Sequence, residues 1–461
     1  MSRLVVIGGG IAGLATAWAA ADAARRAGQG LEVLVLERGH EVGGKARSIV
    51  HDGWLVEGGP SGFLGGRPEL DALLNATGLI DDVVPARLQA KRRFLYRAGR
   101  MREIKASPIG FVRAGILSAR GLARLAAEPF IPRGTASADD ETVWEFAARR
   151  LGAEVADRLV SPMSLGIFAG DARRLSLESA FPRMAAVERE HRSLIIGMIA
   201  RRGRVAAGPL SSLRNGMQSL PLALAERGGF TVHRKCRVSA LEACSGGWSV
   251  IVAGSAEPIE AEAVVLATEP WATAALLGPL HDGAAHALAS IPCPPVAVVA
   301  FGFGRDARPR VPDGFGVLIA RGEGFRMLGN LWETSLYPGR GPDGGILIRA
   351  MLGGAVDPGI GDLSDDAVRA IAYDEVRRLY GLMQEPSFSM VVRVPRAIPQ
   401  YERGHRVRVA AVDSALAGLP GLAVTGSGLR GVAFADAAAD GVHTGTRMAA
   451  WIGANRLASV A

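Results

Sequence analysis

Apolar positions fall into runs of two periods along the chain. Residues 4–7 (LVVI) form a short continuous apolar run. Residues 11–27 follow with helical spacing and end at Gly28, and residues 31–36 (LEVLVL) read as a second buried strand. Strand, helix and buried strand in that order predict a βαβ unit of a parallel sheet. Residues 93–104 (RFLYRAGRMREI) predict a hairpin turning at Ala98-Gly99. From Pro108 to about Gly203 the pattern is mainly helical, with breaks at Pro129, Pro132, Gly152, Pro162 and Pro182. A helix is expected over 216–227. Strands are expected over 230–242, 247–253 and 261–267, with a mixed β region over 292–395. The stretch IPCPPVAVVAFGFG reads as a buried strand, because its apolar run is too short and too broken by proline to span a membrane. The segment from 421 to 452 returns to strand, glycine turn and helix.

Dinucleotide-type pieces thus stand at the start, middle and end of the chain. A helical insertion and a β-rich insertion separate them. The expected division is 1–75 with 208–290 and 400–461 as one α/β domain, 76–95 with 291–399 as a β-rich domain, and 96–207 as a helical lobe. A length of 461 residues suits two or three such lobes.

Composition removes several functional classes. The net charge is +8, but the basic residues are scattered and no nucleic-acid module is visible, so nucleic acid is not an expected partner. Solvated arginines account for most of the charge, leaving an acidic small molecule or an anionic membrane surface as the candidates. The three cysteines, Cys236, Cys244 and Cys293, form no CxxC, and the eight histidines lack ligand spacing. No disulfide framework or metal site is expected, which fits a reducing cytoplasm. The chain enters a strand within three residues, so no leader is expected.

The first turn carries Gly8-x-Gly10-x-x-Gly13. In such a turn the first glycine permits the tight bend, the second lets backbone approach a diphosphate, and the third lets helix pack on strand. The helix N-terminus adds free N–H groups and a positive dipole end. Glu37 ends the second strand, where a carboxylate accepts hydrogen bonds from an adenosine ribose. That disfavours a 2′-phosphate and leaves NAD and FAD open. Two further glycine turns, Gly43-Gly44 in ERGHEVGGKARS and Gly58-Gly59 in GWLVEGGPSGFL, favour FAD, because they offer backbone to a diphosphate and a flavin.

With these motifs, the N-terminal block resembles the flavin amine oxidase superfamily. IPQYERGHRVRVAAVDSAL (398–416) and GIFAGDARRLSLESAFPRMAAVEREHRSLIIGMI (166–199) resemble signatures of its protoporphyrinogen oxidase family, in particular the myxobacterial-type branch. The resemblance implies a Rossmann-like FAD-binding domain built from discontinuous segments, a β-rich substrate domain and a membrane-associated helical lobe. It implies FAD contacts at Gly8, Gly10, Ile11, Ala12 and Gly13, at Glu37 and Arg38, and at Gly43, Gly44, Lys45 and Ala46. Further contacts are implied at Gly58, Gly59, Pro60 and Ser61, at Val238, and at Gly426, Gly431 and Val432. The implied substrate is a porphyrinogen, with Arg93 pairing a propionate and Gly170, Phe315, Gly316, Leu318, Leu331 and Met351 lining the pocket. The implied reaction is a six-electron oxidation to the porphyrin in haem synthesis, with O2 as acceptor and hydrogen peroxide as product. No side chain is expected as an obligatory acid or base, and no carboxylate pair stands out.

Three positions depart from the family pattern. Lys45 stands where relatives mostly have arginine, Val394 stands where close relatives carry tryptophan, and the C-terminal loop reads GSGLRGVAFAD. Coproporphyrinogen III is the alternative substrate. An amine oxidase, a carotenoid desaturase and a catalytically silent porphyrin-binding flavoprotein are the other readings. A single helix over 109–125 would place Arg113, Arg120 and Arg124 on one face and Phe111, Leu122 and Leu125 opposite, a pattern suited to an anionic membrane. The resemblance also raises self-association, since relatives are sometimes dimers.

Overall fold

The computed structural model describes residues 2–105, 107–132, 134, 140–200, 208–305 and 310–460. Its centre is a five-stranded parallel sheet in the order Thr231–His233, Leu31–Leu36, Ser2–Ile7, Ala263–Leu266, Leu422–Val424. Start, middle and end of the chain therefore share one sheet. Its strands read as unbroken Val/Leu/Ile runs because both faces are covered. On one face the helices Ile11–Arg26 and Phe434–Val460 pack together through alanines. Small residues allow this approach: a Cβ on Gly441 would lie 2.3 Å from Ala12 O, and one on Gly445 2.1 Å from Thr16 O. The other face carries the antiparallel sheet Val238–Cys244, Gly247–Val252, Ile259–Ala261 and the helices Pro270–Leu277 and Asp282–Ala289.

A seven-stranded sheet runs Phe388–Val394, Val296–Phe303, Ile346–Gly353, Met327–Trp332, Gly316–Ile319, Arg93–Arg97, Arg100–Ile104. All neighbours are antiparallel except Gly316–Ile319 on Arg93–Arg97. The expected hairpin is present, with left-handed Ala98 (φ 50°) and Gly99 (φ 69°) at its turn. The expected buried strand spans Val296–Phe303, every residue of it buried.

Four expectations are corrected. The β region over 292–395 contains the helix Asp365–Tyr380, started by the Ser364 side chain accepting from Ala367 N and ended at left-handed Gly381. Its Val368, Ala372 and Val376 cover one face of the large sheet. The segment 230–242 is two strands in different sheets, turned at Lys235 (φ 58°). Pro162 breaks nothing: residues 153–168 are continuously helical, and a wide turn over 156–160 precedes the proline where its missing N–H leaves a bond unmade. The single helix over 109–125 is two, Pro108–Arg113 and Ala119–Ala126, because Gly115 is left-handed (φ 63°) and Ser118 caps the second. Arg124 turns inward to donate to the carbonyls of Arg149 and Arg150, so the proposed basic face does not form. Among the described residues no helix is long and apolar enough to cross a membrane.

Candidate functional site

The turn after the first strand bends as its glycines require. Gly8 is at φ 114° and donates to Leu36 O at 2.9 Å, while a Cβ on Gly13 would sit 2.0 Å from Gly8 O. At Gly10 nothing lies within 4 Å of a Cβ position, so the turn is packed behind and open in front. Ile11 and Ala12 begin the helix there. The Glu37 carboxylate accepts from Gly9 N at 2.7 Å and Gly39 N at 2.6 Å. Beside it, Glu37 N donates to His233 O and Cys236 N donates to Glu37 O, both at 2.8 Å, which brings the start of the Val238 strand to this end of the cleft. The Arg38 guanidinium lies 5.4 Å from the Trp271 ring, and Arg396 lies 4.6 Å from the same ring.

The second glycine turn docks on the first. Gly43 N donates to Gly9 O at 2.8 Å, and Gly44 comes within 3.4 Å (at a built Cβ) of Gly10 Cα. Lys45 Nζ bonds Glu269 at 2.6 Å, and Ala46 is buried. The third turn folds over the second: a Cβ on Gly59 would lie 1.9 Å from Lys45 O. It is pinned from the large sheet by buried Arg349, which donates to Glu57 O (2.9 Å), Gly59 O (2.7 Å) and Ser61 Oγ (2.6 Å) and pairs with Glu333 at 2.8 Å. Gly58 and Pro60 lie within this pinned turn. Ser61 Oγ in turn donates to Glu333.

Sequence reasoning missed this polar core. Glu57, Glu333, Arg340 and Arg349 are all buried, and Glu57 lies far along the chain from the other three. Glu57 accepts from Met217 N at 2.9 Å and Ser48 Oγ at 2.7 Å, with Arg340 at 3.7 Å. Burial pushes its carboxyl above the usual range, against the lowering effect of those partners. Burial likewise raises the Cys293 thiol, to about 11.

The C-terminal loop closes the cleft. Gly426 stands against Ala12, with a built Cβ 3.7 Å from Ala12 Cβ, and its N–H donates to Asp440 at 2.9 Å. Gly431 N donates to the Tyr401 hydroxyl at 2.9 Å, and Val432 packs against the helical lobe. The three glycine turns and this loop thus surround one helix N-terminus, with Val238 at the far end.

The expected substrate residues converge through strand register. Arg93, Gly316, Leu331 and Arg349 are successive cross-strand partners, and so are Leu95, Leu318, Gly329, Met351, Val298 and Val392. Cross-strand partners share a face. This is the face that sends Arg349 to the third glycine turn and Val392 to Gly58 (3.0 Å from a built Cβ). Met351, Leu165, Val298, Val392, Val394 and Ile398 make one apolar cluster on it. The exposed Arg93 lies with its guanidinium 5.0 Å from the Phe315 ring. A Cβ on Gly170 would lie 2.4 Å from Gln400 Oε1.

The two distant signature stretches touch. Leu175 bridges Glu402, Ser176 N donates to Tyr401 O at 2.8 Å, and Gln400 Nε2 donates to Phe168 O at 2.8 Å. Among the described residues no group of side chains could hold a metal ion.

Comparison with known proteins agrees with this geometry. The profile described as flavin containing amine oxidoreductase matches residues 11–452. The chain belongs to that family. It is a flavoprotein oxidoreductase, and its cofactor is FAD. The residues fit that group: the turn is open only at Gly10, beside a helix N-terminus and the Glu37 carboxylate. The chain is 31% identical to a coproporphyrinogen III oxidase of Bacillus subtilis (strain 168), over 94% of this chain and 95% of that one. It is 31% identical to a protoporphyrinogen oxidase of Bos taurus, over 96% and 98% respectively. In fold it is similar to the crystal structure of a protein assigned as a protoporphyrinogen oxidase from Exiguobacterium sp. 255-15. That likeness has a TM-score of 0.85 at 23% identity and covers 97% of this chain and 99% of that one.

Proposed function

We propose that the protein oxidises a porphyrinogen to the porphyrin in haem synthesis, with O2 as acceptor, and that protoporphyrinogen IX is its substrate. The observation that carries this reading is an apolar sheet face beside the glycine turns, with a free-standing arginine at its edge and names of both porphyrinogen oxidases among relatives that span the chain. On this reading 1–75, 208–290 and 400–461 lie around FAD and 76–95 and 291–399 serve the substrate, while the helical lobe expected over 96–207 begins only after Ile104, because the hairpin strand Arg100–Ile104 belongs to the large sheet.

Bound FAD supplies the redox chemistry, taking hydride equivalents and returning electrons to O2 as hydrogen peroxide. The protein supplies position. Backbone N–H groups of Gly10 to Gly13 at the helix N-terminus hold the diphosphate, and Glu37 accepts from the ribose. Arg349 fixes the Gly58–Ser61 turn by its carbonyls, so the turn cannot drift when substrate enters. Leu318, Leu331 and Met351 keep water from the reacting carbon, and Gly170 lets the Gln400 side chain pack close behind the wall. Arg93 pairs with a propionate. Beside the third glycine turn, Glu57 and Glu333 each face an arginine and accept from a hydroxyl or backbone donor, so neither is assigned the role of a base.

The test is an aerobic assay of the purified holoprotein with protoporphyrinogen IX and coproporphyrinogen III in parallel, read by porphyrin fluorescence. FAD-dependent turnover with the larger kcat/KM on protoporphyrinogen IX is expected. A preference for coproporphyrinogen III selects the reading favoured by the Bacillus relative, and FAD-dependent turnover of neither substrate overturns both.

The helical lobe supports a second element of the reading, peripheral contact of a cytoplasmic protein with an anionic membrane. Ile109 and Val112 on one helix, and Ile196 and Ile199 on another, are exposed at i, i+3 spacing, and Phe130 is 88% exposed. Neighbouring apolar side chains left in water mark an interaction surface.

A further inference from the structure

The PQYERGH stretch does more than mark a family. Tyr401 and His405 are both buried and lie ring on ring, with centroids 3.9 Å apart and planes 18° from parallel. The Tyr401 hydroxyl donates to Ser427 O at 2.6 Å and accepts from Gly431 N at 2.9 Å. His405 Nε2 lies 3.0 Å from Leu429 O. A carbonyl only accepts, so Nε2 carries the proton, and burial holds this imidazole below its ordinary pKa and therefore neutral near pH 7. Every second residue of the loop, Ser427, Leu429 and Gly431, is thus held through its backbone by one of two rings.

The same loop stands against Ala12 at the helix N-terminus and against Pro270, whose Cγ is 2.5 Å from a built Gly428 Cβ. It spans the mouth of the parallel sheet, and it has no regular secondary structure of its own to hold its shape. Behind the rings, Gln400 and the Tyr401 carbonyl are bonded to Phe168 and Ser176 of the helical lobe. The loop is therefore braced from outside the nucleotide-binding sheet.

We propose that Tyr401 and His405 are positioning residues that hold the Gly426–Val432 loop in the shape that receives FAD. This rests on the reading of that loop as a flavin contact. A loop fixed before binding saves the cofactor the cost of ordering it. Removing one bond of the brace therefore shows in cofactor retention and in the flavin's surroundings before it shows in the packing of the fold.

The test uses the holoprotein. Tyr401→Phe keeps the ring stack and deletes only the hydroxyl, while His405→Leu deletes the bond to Leu429. Each is expected to release FAD about tenfold faster on dilution and to shift the visible flavin spectrum. His405→Gln, whose amide can donate to the same carbonyl, is expected to restore part of the retention that His405→Leu loses. Should Tyr401→Phe fail to fold, the His405 pair carries the test. Parent-like FAD release and an unaltered spectrum in both Tyr401→Phe and His405→Leu overturn the proposal. Gly431→Ala separates the two readings, because Gly431 is at φ 99° and a Cβ there meets Asp436 at 2.5 Å. If that substitution loosens FAD and the ring variants do not, the brace alone is refuted. If it too is without effect, the loop is not a flavin contact and both readings fall.

Discussion

Arg93 and Lys45 are both basic residues named from motif position, and their surroundings differ. Lys45 already holds Glu269, both side chains being about a quarter exposed, so its charge is partly spent within the protein. Among the described residues Arg93 meets only the face of Phe315, and its guanidinium remains available to an incoming carboxylate. A charge-assisted hydrogen bond contributes about 1.5–3 kcal/mol. Arg93→Ala is accordingly expected to lower kcat/KM about ten- to a hundredfold, with FAD content unchanged, in steady-state assays of the purified holoenzyme. An equal loss with a substrate ester lacking free carboxylates would contradict this role. Individual residues were legible where a backbone position forces the residue type, as at Gly8 and Gly13. They were not legible where a polar group depends on a partner far along the chain. Nothing near Glu57 in sequence announces Arg340, and nothing near Arg349 announces the Gly59 carbonyl it bonds.

Among the elements, those with a strict period were readable, and those decided by a cap or a single polar partner were not. The split of 109–125 follows from Ser118, which starts a helix where the apolar spacing alone would continue one. The helix Asp365–Tyr380 had its apolar residues at i, i+4 and its serine cap in plain view, but lay inside a region dominated by strands. In the helical lobe the elements are tied by a buried ion pair. Glu128 on the turn Glu128–Phe130 meets Arg150 on Val143–Leu151, and also accepts from Ser193 Oγ and Leu194 N. Burial alone would raise the Glu128 carboxyl. The Ser193, Leu194 and Ile195 donors and Arg150 together hold it below the usual range. A depressed carboxyl adds stability above its unfolded pKa, and that stability is lost as pH falls through the folded value. Glu128→Gln is expected to cost about 3 kcal/mol at pH 7 in urea unfolding. The difference from the parent should shrink in acid, and a pH-independent difference would show that the charge is not responsible.

For the molecule as a whole, the fold class was visible early because the parallel sheet writes itself as three short apolar runs, each next to a helix. Which face of the second sheet meets the cleft was not visible, since it depends on register between strands that are distant in sequence. The exposed apolar residues of the helical lobe belong to this scale too, because no single helix collects them. The protein is expected to sediment with liposomes rich in anionic lipid and to stay in solution when Phe130 and Ile199 are both changed to serine, with the melting temperature unchanged. Retention of liposome binding by that variant would move the contact elsewhere. The central sheet has a consequence for how the protein is made. Its fifth strand, the loop over the cleft and the helix that packs on Ile11–Arg26 all come from the last tenth of the chain. A nascent polypeptide on the ribosome has its Gly8–Gly13 turn long before it has anything to close over it. A chain cut before Leu422 would therefore keep the turn and lose the strand, the loop and the helix that enclose it.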